Sequence, residues 1–143
     1  MTQGGAGAIY EMPSECGSLY LQHIGSNPTF GSAVAVFGDA ELSDLRFSIV
    51  FPVQSAVRQK VIKRVGRSEI SEQYKPLRFR YPVGRSENGI GWMIVEDEGQ
   101  YRVENLSAEQ VSFVLGFAVN DKALTELFCS GWVEGESFPT LTG

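Results

Sequence analysis

The run "LSAEQVSFVLGFAVNDKALTELFCSGW", residues 106–132, decides the fold class, because the spacing of apolar residues changes there from that of strands to that of helices. Ser107 and Gln110 stand at the spacing of a capping box, in which a hydroxyl and an amide side chain satisfy the unpaired backbone N–H groups at a helix start. The spacing predicts a helix from Ala108, with Val111, Val114, Leu115 and Ala118 as its apolar stripe. The stripe breaks at "VNDK", where Asn120 or Asp121 suits a fresh N-cap. A second helix from Lys122 carries Ala123, Leu124, Leu127 and Phe128 and stops near Gly131, a residue suited to the left-handed turn after a helix.

Working outward, "SAVAVFGDAELSDLRFSIVFPV" has two β-rich runs, 32–37 and 45–53, joined by a turn-forming linker, which predicts a hairpin. In "KPLRFRYPV", Leu77, Phe79 and Tyr81 alternate with Arg78 and Arg80 between two prolines, the pattern of a short edge strand. "GWMIVEDEGQYRVENL" predicts a second hairpin turning at Asp97 to Gly99. Strands followed by helices indicate an α+β fold: a mainly antiparallel sheet with two C-terminal helices packed on one face. Residues 1–8 read as a flexible Gly-rich tail and 9–143 as a single domain. The expected core joins Val114, Leu115, Leu124, Leu127 and Phe128 to Phe47, Ile49 and Trp92.

The chain has 143 residues, 43% hydrophobic and 20% charged, a composition that fits one globular domain and excludes disordered and multi-span membrane classes. The start has neither a basic n-region nor an apolar h-region, and two cysteines in a domain this size fit a reducing compartment better than a disulfide scaffold, so a cytoplasmic protein is expected. Charge is the most informative property. Between Arg58 and Arg85 nine cations face two acids, giving +7, whereas the whole chain carries −5, leaving −12 elsewhere. "SAVRQKVIKRVG" reads as a helix capped by Ser55 and ended by Gly66, with a strand as its rival. Lys60, Lys63, Arg64, Arg67, Arg78, Arg80, Arg85 and Trp132 are the candidate binding residues. Either they meet an anionic partner, or they are neutralised within the fold or across a homodimer.

Catalytic motifs are sparse. There is no phosphate-binding G-x-x-x-x-G-K-[ST]; "GIGWMI" has Ile94 where a dinucleotide loop needs glycine; "GRSEI" and "GRSEN" lack the second glycine of a nucleophile elbow. With one histidine and cysteines 113 positions apart, no metal-ligand spacing can be drawn and no cofactor is expected. Cys16 and His23 are the weak catalytic candidates, as a thiolate activated by imidazole, although seven residues apart they face opposite sides of a regular strand. Cys129 reads as a small core hydrophobe. The pentapeptide "VGRSE" occurs at 65–69 and 83–87; turn chemistry explains it, and the functional alternative is two loops presenting Arg67 and Arg85 together.

The expected function is therefore a non-enzymatic protein-interaction domain, such as a small acidic stoichiometric inhibitor or regulator of the immunity-like or viral accessory kind, whose partner has an acidic patch. The alternatives are a nucleic-acid or phosphate-ligand binder using residues 58–85, and a cysteine-dependent enzyme. No membrane partner is expected.

Overall fold

The computed structural model describes residues 6–86, 89–97 and 99–132. These form nine strands: β1 (Ala8–Met12), β2 (Leu19–Asn27), β3 (Gly31–Phe37), β4 (Leu45–Val50), β5 (Lys63–Arg67), β6 (Phe79–Ser86), β7 (Gly89–Glu96), β8 (Gly99–Val103) and β9 (Val114–Ala118). Two helices accompany them, α1 (Val53–Arg58) and α2 (Asp121–Cys129). All nine strands belong to one sheet in the order β5-β1-β2-β3-β4-β9-β6-β7-β8. Neighbours are antiparallel except at β9, which runs parallel to both β4 and β6.

The α+β expectation of two C-terminal helices on an antiparallel sheet is overturned at β9. The capping box forms: the Gln110 side chain accepts from Ser107 N at 2.9 Å, and Gln110 N donates to Ser107 Oγ at 3.1 Å. It closes only a 3-10 turn, Gln110–Ser112, after which the chain extends. Val, Phe and Gly are poor helix residues, and a strand buried on both faces reads as an unbroken apolar run in which helical spacing also finds a stripe. The molecule is thus mostly sheet. Of the two expected helices only the second forms, with Asn120 accepting from Ala123 N at 2.8 Å as its cap.

Two smaller corrections follow. The helix read over "SAVRQKVIKRVG" stops at Arg58, starts at Val53 without a side-chain cap, and gives way to β5. The strand of Phe79 and Tyr81 is not at an edge: β6 lies between β9 and β7. The two expected hairpins form as β3–β4 and β7–β8. β1 begins at Ala8, a fully buried residue in the stretch read as tail.

Alternation along the strands divides the core between two sheet faces. One face carries Ala8, Tyr10, Met12, Leu19, Leu21, Val34, Val36, Phe47, Ile49 and Leu115, and is covered by α1 and by Leu124, Leu127 and Phe128 of α2. The other carries Ala33, Ala35, Phe37, Val50, Phe79 and Val114, covered by Tyr74, Ile70 and Leu77 from the β5–β6 connection and by Phe30. All eight residues expected in the core are buried, although Val114 and Leu115 point to opposite faces of a strand instead of sharing a helical stripe. Burying each such side chain contributes roughly 1.5–3 kcal/mol.

A candidate binding edge of the sheet

β5 is an outermost strand, and its placement follows from the residues around it. Two residues after α1 ends at Arg58, Lys60 adopts φ 61°, turning the chain back so that buried Ile62 anchors the entry to β5. β5 then pairs with β1: Lys63 opposite Glu11, Arg64 opposite Tyr10, Gly66 opposite Ile9 and Arg67 opposite Ala8. Val65 has no opposite residue and is the extra residue of a β-bulge. Beyond Arg67, Ser68 N donates to Gly7 O at 2.9 Å, and the buried Gln22 amide donates to the carbonyls of Ser68 and Glu69 at 2.9 and 3.3 Å. Gly7 has φ 99°, and a Cβ there would lie 2.9 Å from Ser68 O, so this junction requires glycine.

The basic block divides at this point. Among the described residues, Arg58, Lys60, Lys63, Arg64 and Arg67 are exposed and make no ion pair. The cations further along are paired or covered. Lys75 meets Glu69 and Glu72 at 3.8 and 3.4 Å; Arg78 meets Glu109 at 3.7 Å and lies over the Phe113 ring. Arg80 is buried, lies over Trp92 and donates to Phe113 O at 3.3 Å. The side chain of Arg85 lies outside the described residues. Trp132 is buried against Phe47, with ring centroids 5.3 Å apart, and offers no exposed ring. The candidate binding set thus separates: Lys63, Arg64 and Arg67 lie along the outer strand, with Lys60 just before it on the side of α2, whereas Arg78 is partly covered and Arg80 and Trp132 are buried. Three large hydrophobics are exposed among the described residues, Val57, Val65 and Tyr101, and the first two stand among these free cations.

The opposite edge, β8, differs in that its polar side chains pair with one another. On β8 the Tyr101 hydroxyl donates to Glu96 at 2.7 Å, which pushes the phenol pKa up, with desolvation adding to it, and Arg102 pairs with Glu104 at 3.3 Å. The "VGRSE" repeat has a structural meaning that turn chemistry missed. Each copy puts its valine at a register shift inside a strand: Val65 in β5, and Val83, with Gly84, between the paired Pro82 and Arg85 in β6. Five strands intervene between the copies, so the sheet does not bring them together as neighbouring loops.

Cys16 and Cys129 are joined in a disulfide with Cα atoms 5.7 Å apart, so neither sulfur is a thiolate in this structure. Ser14 Oγ lies 3.2 Å from the Cys16 sulfur, and His23 Nε2 lies 3.3 Å from Ser26 Oγ, a separate interaction on β2. Among the described residues no group of three His, Cys, Asp or Glu side chains gathers at metal-binding geometry, and no helix is long and apolar enough to cross a membrane.

The fold and this edge define a mainly β protein with one mixed sheet and a cationic outer strand. No protein-family model, curated protein or solved structure matches the chain.

Proposed function

We propose that the protein is a non-catalytic binding module, a stoichiometric inhibitor or regulator, that engages an acidic region of another protein at β5. The observation that carries this reading is the group of five exposed, unpaired cations interleaved with exposed Val57 and Val65. Exposed cations in water attract a partner and select it by charge, while the valines supply apolar area at the centre of the contact. The net charge of −5 opposes the long-range approach of any polyanion, and opposes a nucleic acid, charged at every phosphate, more than a protein whose acidic region is local, so attraction is confined to the local patch. The Cys16–Cys129 bond favours an oxidising compartment over the cytoplasmic one read from the cysteine count.

The test compares binding of poly-L-glutamate and of a mixed-sequence DNA duplex across a salt series. The expected result is salt-sensitive binding of poly-L-glutamate that is lost in Lys63→Glu/Arg64→Glu/Arg67→Glu with the Tm nearly unchanged. Tighter binding of DNA than of poly-L-glutamate would replace this reading with the nucleic-acid one.

A further inference from the structure

We propose that the acidic partner binds as an added strand: an extended segment with carboxylates at alternate positions pairs with the open edge of β5 and extends the sheet. This inference rests on the proposed function and deepens it. An outer strand presents backbone N–H and C=O groups on the side away from its neighbour, a template for another strand. The charges decide which strand is accepted. Exposed cations on an edge repel basic strands, a second copy of β5 included, and give nothing to neutral ones. An acidic strand neutralises them while using the same backbone groups.

The bulge sets the spacing of the carboxylates. Three residues apart in a regular strand, Arg64 and Arg67 would face opposite sides. Because Val65 is the extra residue, they stand opposite Tyr10 and Ala8, which share one face, and so both arginines lie on that face. Lys63 and Gly66 stand opposite Glu11 and Ile9 on the other side. Tyr10 and Ala8 are two residues apart on β1, which sets the arginine rows about 7 Å apart, the repeat of alternate side chains on an added strand. The matching ligand is a segment of the form acid-x-acid.

The probe is the peptide acetyl-Glu-Val-Glu-Val-Glu-Val-Glu-amide, with two analogues N-methylated either at the glutamates or at the valines. A paired strand directs alternate N–H groups to the sheet, so one analogue should lose at least tenfold in affinity while the other binds like the parent. Arg64→Gln and Arg67→Gln should each weaken the parent peptide several-fold, and Lys63→Gln much less. If the parent binds but both analogues behave alike, strand addition is wrong and the charge-based function stands. If the parent does not bind while poly-L-glutamate does, strand addition is again wrong; if neither binds, both readings fall. A concentration-dependent dimer of the free protein, abolished by Arg64→Glu, would assign the edge to a second copy and overturn the inference.

Discussion

Asp39 organises the β3–β4 turn through its carboxylate, which accepts the Ser43 hydroxyl and the backbone N–H groups of Ser43 and Asp44. The Ser43 hydroxyl holds the carboxyl below its ordinary pKa with help from those amides, against a smaller opposing effect of desolvation. A carboxyl whose folded pKa is depressed contributes stability that is present above the unfolded pKa and is lost as pH falls through the folded one. Asp39→Asn should therefore melt below the parent near neutrality, and the two Tm values should converge in acid; parallel curves down to pH 2 would refute the linkage. Lys60 invites a second test. A side chain in the left-handed region is disfavoured, so Lys60→Gly should stabilise the fold by about 0.5–1 kcal/mol in denaturant titrations. Removing a cation from the binding edge should at the same time weaken capture of poly-L-glutamate, an opposition of stability and binding that a purely structural lysine would not show.

At the scale of elements, β9 is the test of the fold. Gly116 lies in mid-strand, where a Cβ would sit 3.1 Å from the Phe30 ring and 3.4 Å from Arg80 O. In a helix, Gly116→Ala would stabilise by about 1 kcal/mol. In this strand it should destabilise, and the loss should shrink or reverse in a Phe30→Ala background, a coupling measurable by a double-mutant cycle. For α2, Leu127→Ala should cost about 2–5 kcal/mol, read from chemical denaturation, because Leu127 is almost fully buried beneath the helix. These two elements show what was legible. Asn120 and the apolar residues of α2 form a local, self-consistent signal. In β9 the capping box was real, but Val114 and Leu115 are buried on opposite faces and Phe117 also packs against the core, so the apolar run carries no alternation that would have marked a strand. β1 and β2 lacked a local marker strong enough to be read as strands, although Leu19 and Leu21 alternate with Tyr20 and Gln22. Over β5 a strand stood only as the rival of a helix, and the bulge at Val65 breaks the period-two pattern there.

For the molecule as a whole, the Cys16–Cys129 disulfide ties the end of α2 to the turn between β1 and β2 across 113 positions. Restricting so long a loop in the unfolded chain stabilises by up to about 5 kcal/mol. Cys16→Ser/Cys129→Ser, or the parent in reductant, should lose several kcal/mol in equilibrium unfolding; equal stability with and without reductant would show that the bond contributes nothing to the fold. The sequence by itself determined the two hairpins, α2, the identity of the main core residues and the concentration of cations between Arg58 and Arg85, because each depends on neighbours within a turn or a strand. Only the tertiary structure decided that β9 enters the centre of the sheet, that the cysteines pair, and that Arg80 and Trp132 are buried while Lys63, Arg64 and Arg67 remain exposed. Those outcomes depend on which distant segments lie side by side, and local periodicity carries no information about a partner strand or sulfur dozens of residues away.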